Sequence, residues 1–232
     1  MIKTLLVDLD DTLWDTFENN KESLKELYAA YGWRQHFASF EAFFDSYYCI
    51  NDRLWDEYRR GLIDKFTLTI RRFREPLDGK LILTDDEILA LNDFFLDRTA
   101  EKTRTCPGAL STLEYLHRYY KVCIVSNGFR EVQRRKLENS GLSPFVDVMV
   151  LSEDVGINKP NKLIFDRALS SSSTARDEAL MIGDSWAADI VGAHNAKIGS
   201  VWYNPYALDM PDDGTTPPLH QIGHLSELLE FL

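Results

Sequence analysis

Three carboxylates close to the amino terminus hold the densest chemistry in the sequence. Asp8, Asp10 and Asp11 follow directly on the apolar or small residues Ile2, Thr4, Leu5, Leu6 and Val7. A short apolar run that ends abruptly in acid is the pattern of a strand buried on both faces whose tip reaches a polar site. In open parallel sheets the carboxyl ends of the strands form the rim of the ligand crevice, which puts Asp8 and Asp10 where chemistry is done. Two carboxylates two residues apart repel one another, and a site that keeps both ionised holds a cation between them. Oxygen ligands favour a hard divalent ion, so Mg2+ is the first expectation. A surface turn would use the same residue types. A calcium loop of the EF-hand kind would not, because its sixth position needs glycine and Leu13 stands there.

Three more polar clusters recur, each at or just beyond the end of a predicted strand. Val122 to Val125 runs into Ser126-Asn127-Gly128. A hydroxyl followed by Asn and Gly at a strand-to-helix turn offers Oγ and backbone N–H groups to an anion, and Gly128 lets a ligand approach the backbone. An ordinary turn has the same composition. Lys159-Pro160 follows Gly156-Ile157-Asn158 in a loop, with Pro160 suited to a helix start and Lys159 free either to bind an anion or to point into solvent. Ala179 to Ile182 ends in Gly183-Asp184-Ser185, and Asp189 stands five residues beyond Asp184. That spacing lets both carboxylates face one metal, Asp184 directly and Asp189 from behind it.

These clusters need a scaffold that brings separate strand tips together. After the first strand the pattern from about residue 14 to 102 is helical throughout. Asn19 or Asn20 can cap a helix that stops at Gly32, Ser39 can cap a second ending before Gly61, and Asp64 opens a third that Pro76 ends. Thr84 with Glu87 forms a capping-box pattern for a fourth. Aromatic residues at helical spacing mark one buried bundle. From Pro107-Gly108 onward helices alternate with strands: a helix through Leu113 and Leu116, a strand 122–125, a helix 131–138, a strand 148–151, a helix 163–169, a strand 179–182, a helix 187–193, a strand 200–202 and a closing helix through Leu225 and Leu228. Such alternation predicts right-handed crossovers and an α/β fold, a Rossmann-like parallel sheet with helices on both faces. The expected domains are therefore 1–13 with 103–232 as the α/β core and 14–102 as an inserted helical bundle, positioned by the order of the chain to act as a cap or lid.

With 232 residues and 44% hydrophobic content the chain can bury a sizeable core. Its net charge of −11 argues against nucleic acid or an anionic membrane as partner. Cys49, Cys106 and Cys123 lack paired spacing and read as buried free thiols in a reducing compartment. The amino terminus lacks the pattern of a signal peptide and no stretch is long enough to span a bilayer, so a cytoplasmic protein is expected.

Taken together, Asp8-x-Asp10-x-Thr12, Ser126, Lys159-Pro160 and Gly183-Asp184-Ser185 with Asp189 resemble the haloacid dehalogenase-like superfamily, whose members are mostly Mg2+-dependent phosphohydrolases. Asn51-x-x-Leu54-Trp55-x-x-Tyr58, Ser126-Asn127-Gly128-Phe129 and the stretch from Val155 to Asp166 are similar, more narrowly, to bacterial pyrimidine 5′-nucleotidases. The resemblance implies Asp8 as a nucleophile forming an aspartyl-phosphate and Asp10 as general acid and then base, with a pKa above that of Asp8. It implies Ser126, Asn127 and Lys159 at the phosphate, and Mg2+ held by Asp8, Asp184 and the backbone carbonyl of Asp10. Asp189, Thr12 and Ser185 would stand behind these ligands, Thr12 supporting the loop around Asp10. The implied substrate is a small phosphorylated metabolite, a nucleoside 5′-monophosphate, turned over by a monomer or homodimer; Arg53, Trp55 and Tyr58 are candidates for the leaving group. A sugar-phosphate phosphatase or phosphomutase is the alternative within the superfamily. A phospho-accepting receiver module, the alternative outside it, would be shorter and would lack the helical insertion.

Overall fold

The computed structural model describes residues 1–232. The chain divides into two compact units, Met1–Thr16 with Thr103–Leu232, and Phe17–Lys102. The first strand, β1, spans Thr4–Val7 and is buried along its whole length.

The helical unit is built from α1 (Thr16–Ala30), α2 (Phe40–Arg59), α3 (Lys65–Leu77) and α4 (Asp85–Ala100). Ser39 and Asp64 accept hydrogen bonds from the backbone N–H of Ala42 and Thr67, so both caps act as the sequence predicts. Thr84 and Glu87 close a reciprocal capping box. Two boundaries differ. α1 begins at Thr16, which leaves Asn19 buried inside the helix with its carbonyl accepting from the Ser23 hydroxyl. Pro76 lies in the last turn of α3 and Leu77 completes it. A proline near a helix end sacrifices one hydrogen bond without forcing an immediate stop. Leu24, Leu27, Phe43, Tyr47, Phe73, Leu91 and Phe95 form the core, with Tyr47 against Phe73 at 5.2 Å between ring centroids. Cys49, expected to be buried, is exposed on α2.

The α/β unit continues with α5 (Ala109–Leu116), β2 (Lys121–Ser126), α6 (Arg130–Asn139), β3 (Val148–Leu151), a short α7 (Ser152–Val155) and α8 (Lys162–Ser172). It closes with β4 (Ala179–Gly183), a π-helical turn Trp186–Ile190 running into α9 (Val191–Ala196), β5 (Gly199–Tyr203), β6 (His220–Ile222) and a 3₁₀ helix Leu225–Glu230. Six parallel strands stand in the order β3-β2-β1-β4-β5-β6. This is the doubly wound arrangement. The chain moves outward from β1 to β3, then returns to the other side of β1 for β4, so the strand tips beside β1 mark the crevice.

Strand periodicity divides the core between the two faces of the sheet. Leu5, Val7, Ile124 and Ile182 pack on one side with Leu113 and Leu116 of α5 and Leu225 and Leu228 of the 3₁₀ helix. Leu6, Cys123, Val125 and Met181 pack on the other with Ile164, Phe165 and Ala168 of α8 and Ala193 and Ala196 of α9. Several expectations are corrected here. β6 lies outside the strands that the sequence pattern predicts, since only one of its three residues is buried. The closing element is 3₁₀ rather than α-helical, and the serines at 170–172 continue α8. Asn161, two residues beyond Lys159, is the N-cap of α8, so Pro160 precedes the helix instead of starting it.

Candidate active site

β1, β2 and β4 end side by side, and their tips deliver the first three groups. Asp8 follows β1 with its backbone N–H donating to the Ile182 carbonyl at 3.0 Å, Ser126 closes β2, and Asp184 follows β4. Lys159 comes from the loop before α8, yet it is among the most buried side chains of the molecule. Its ammonium donates to Asp8 Oδ1 at 2.6 Å, Asp189 Oδ1 at 2.7 Å and the Val125 carbonyl at 2.7 Å. A lysine can be buried only when each of its protons meets an oxygen, and here all three do. The alternative of a solvated loop lysine therefore falls.

Asn127 explains how the lysine is held. Its Oδ1 accepts from the Lys159 backbone N–H at 2.8 Å and its Nδ2 donates to the Lys159 carbonyl at 3.1 Å. The side-chain amide expected at the phosphate is thus committed to the backbone of the neighbouring loop. Thr12 is likewise reassigned. Its hydroxyl donates to Asp184 Oδ1 at 2.9 Å and accepts from the Asp184 backbone N–H at 3.0 Å, fixing Asp184 rather than the loop around Asp10.

Asp189 is fully buried in the π-helical turn. The wider turn brings its carboxylate back over the strand end, where Oδ2 accepts from the Ser185 backbone N–H at 3.1 Å. Ser185 itself caps the turn by accepting from the Ala188 N–H. Gly183 is required at the close approach, because a Cβ there would overlap the Asp189 carboxylate.

Carboxylate oxygens of Asp8, Asp184 and Asp189 lie within 4.8 Å of one another. Burial pushes the Asp8 carboxyl up to about 7, with Asp189 and Asp10 adding to the rise and Lys159 opposing it. Asp184 is raised well above the ordinary carboxylate range, first by burial and then by Asp8 and Asp189. Desolvation of Lys159 is outweighed by Asp189 and Asp8, which keep it charged. Desolvated, mutually repelling carboxylates with only oxygen donors fit a hard divalent cation. Asp8 and Asp184 are the natural ligands, because both oxygens of Asp189 already serve Lys159 and Ser185.

Asp10 differs from the expectation most. Burial alone would raise its pKa, but the Lys136 ammonium and the hydrogen bonds of Lys136, Gln133 and Thr16 outweigh it and hold the carboxyl below its ordinary value. The order relative to Asp8 is therefore the reverse of that implied by the resemblance. The contacts responsible are Lys136 Nζ to Oδ1 at 2.6 Å, Gln133 Nε2 to Oδ2 at 2.6 Å and Thr16 Oγ1 to Oδ1 at 3.1 Å. With the side chain engaged in this way, the backbone carbonyl is what Asp10 can offer a metal.

Gln133 and Lys136 lie outside the motifs of the sequence, and their one signal is their place on the helix. Projected at helical spacing, Val132, Gln133, Lys136 and Leu137 share the buried face of α6, and two of these four are polar. In the helical unit Arg53, a candidate for the leaving group, is tied to Glu57 at 2.7 Å and to Glu75. Trp55 packs edge-on against Tyr58, with 5.6 Å between centroids.

The doubly wound α/β fold and the buried acidic crevice at its strand tips define an enzyme-like site with a cation-compatible centre. The chain belongs to the haloacid dehalogenase-like hydrolase family, whose model matches residues 2–197. It is 34% identical over 190 residues to a pyrimidine 5′-nucleotidase of Escherichia coli, covering 82% of each chain. It is 31% identical over 233 residues to a pyrimidine 5′-nucleotidase of Streptococcus pneumoniae, covering 99% of this chain and 94% of that one. Among solved structures, a protein of Bacillus subtilis described as a HAD-hydrolase, bound to magnesium, superposes with a TM-score of 0.87 at 28% identity. That match covers 100% of this chain and 98% of the other. No helix is long and apolar enough to cross a membrane.

Proposed function

We propose that this hydrolase is a Mg2+-dependent phosphomonoesterase acting on nucleoside 5′-monophosphates, pyrimidine nucleotides foremost. The observation that carries the reading is the meeting of Asp8 and Asp184, at adjacent strand ends, with the loop residue Lys159, a carboxylate nucleophile beside a buried cation and a carboxylate suited to metal. The substrate class rests on the two pyrimidine 5′-nucleotidases among the relatives.

In this reading an Asp8 oxygen attacks phosphorus in line, forming an acyl phosphate as the bond from phosphorus to the leaving alkoxide breaks. Lys159, held against the attacking carboxylate of Asp8, would offset the growing negative charge on the phosphoryl group, with the Ser126 hydroxyl as a second donor. Asn127, by fixing the Lys159 backbone, keeps that ammonium in register. Asp10 supplies the leaving oxygen with a proton and then takes one from the water that attacks the acyl phosphate, releasing inorganic phosphate and regenerating Asp8. Mg2+, bound by Asp8, Asp184 and the Asp10 carbonyl, would neutralise phosphoryl oxygens and keep Asp8 ionised. Thr12 and Asp189 hold Asp184 and Lys159 in place.

A panel of phosphate esters tests the proposal, comprising nucleoside 5′-monophosphates, hexose phosphates and p-nitrophenyl phosphate, each with Mg2+ and with EDTA. The expected result is phosphate release fastest from UMP or dTMP, silenced by EDTA and restored by Mg2+. Preference for a hexose phosphate would overturn the substrate class, and undiminished turnover in EDTA would overturn the role of Asp184.

A further inference from the structure

Inward-facing polar residues on α6 form an arrangement that the four recognised clusters do not account for. Gln133 is fully buried, and its Nε2 donates both to Asp10 Oδ2 at 2.6 Å and to Ser126 Oγ at 2.7 Å. One amide nitrogen thereby joins the carboxylate assigned to proton transfer to the hydroxyl assigned to the phosphate. Its Oε1 finds no donor within the protein, so the amide is oriented for its N–H groups alone. Lys136, one helical turn further along, is also buried. It pairs with Asp10 Oδ1 at 2.6 Å, and its ammonium lies 4.2 Å from the centroid of the Trp14 ring. Trp14 is in turn bridged to the backbone of Asp10. Gly128 completes the arrangement, because a Cβ at that position would overlap the Gln133 amide and come to 3.0 Å from Asp10 Oδ2.

Burying an amide and an ammonium costs stability unless each is fully engaged. Fixing the backbone of α6 would need neither, since Val132 and Leu137 already anchor that face. Each polar group ends instead on a separate oxygen of one carboxylate. We propose that Gln133 and Lys136 are positioning residues that fix the orientation of the Asp10 carboxylate for its proton transfers and, through Gln133, tie that orientation to Ser126. The proposal rests on the reading of Asp10 as the acid and base of a phosphomonoesterase.

A double-mutant cycle tests it, because a residue that works through Asp10 must lose its influence once Asp10 is gone. Lys136→Met, Asp10→Asn and the double variant are assayed with Mg2+ on uridine 5′-monophosphate, with p-nitrophenyl phosphate in parallel so that a wrong substrate class is not mistaken for a failed variant. Positioned proton transfer contributes roughly 10²- to 10⁴-fold, so Lys136→Met is expected to lower kcat by about 10- to 100-fold, with KM changed less than about threefold. In the Asp10→Asn background the same substitution should change kcat by less than about twofold, and Lys136→Arg should recover part of the loss. Wild-type kcat in Lys136→Met, or an equal further loss in the Asp10→Asn background, would overturn the proposal. Should Lys136→Met fail to fold, Gln133→Met carries the same cycle. Undiminished activity in Asp8→Asn or Asp10→Asn would instead overturn the underlying reading of the site, which separates the two failures.

Discussion

In the α/β unit Lys159 is buried between Asp8 and Asp189, and Lys136 is buried against Asp10, whereas in the helical unit most ion pairs run along the surface. Arg53 and Arg71, for example, bridge Glu57 and Glu75 between α2 and α3 while remaining partly exposed. The interiors contrast in the same way. The helical unit packs ring against ring, with Phe73 touching both Tyr47 and Phe95. Arg72 is the exception there, a buried guanidinium bonded to Asn92 and lying over the rings of Phe73 and Phe95. Buried charge is expensive, and a surface pair contributes little. A fold that buries paired charges around the tip of β1 keeps them for chemistry, while an aromatic interior keeps its residues for packing. Substitutions should therefore separate activity from stability in opposite directions in the two units.

The largest effect is expected at Asp8. Asp8→Asn should lower turnover on the order of 10⁴-fold or more, since removing a nucleophile removes the reaction path. It should leave the thermal midpoint near that of the parent, because Lys159 keeps Asp189 and Val125 as partners. A lowered midpoint with residual activity would break the contrast. Lys159→Met should abolish turnover and also destabilise the fold by about 3–5 kcal/mol, because Asp8 and Asp189 would stay buried without their cation. Denaturant unfolding measures that difference.

Phe73→Ala in the helical unit should cost about 3–5 kcal/mol in the same unfolding experiment. At the surface of that unit Arg53→Ala should cost less than about 1 kcal/mol. A larger loss at Arg53 would mean that the ring of ion pairs across α2 and α3 is a structural element in its own right.

The two units were also unequally legible. Helix caps such as Ser39, Asp64 and Thr84 act on residues three positions away, so local sequence is enough to find them. β1, β2, β3 and β4 announced themselves as apolar runs. β6 did not, being three residues long with two of them exposed. In the site, Asp8 and Asp184 could be placed because strand tips converge in any parallel sheet. Thr12 and Asn127 could not be given their partners, which lie 172 and 32 residues away in sequence. The side chains that hold Asp10 come from a helix whose sequence, Arg130 to Asn139, is strongly polar. Only its buried face distinguishes Gln133 and Lys136 from the neighbouring Arg134 and Arg135.

The central claim is that the carboxylate of Asp8 receives the phosphoryl group, and rapid acid quenching during turnover of uridine 5′-monophosphate with Mg2+ tests it directly. Peptide mass spectrometry of the quenched enzyme should find a phosphoryl group, labile to hydroxylamine, on the peptide that carries Asp8. The absence of that adduct under conditions of steady phosphate release, or its presence on another residue, would contradict the claim.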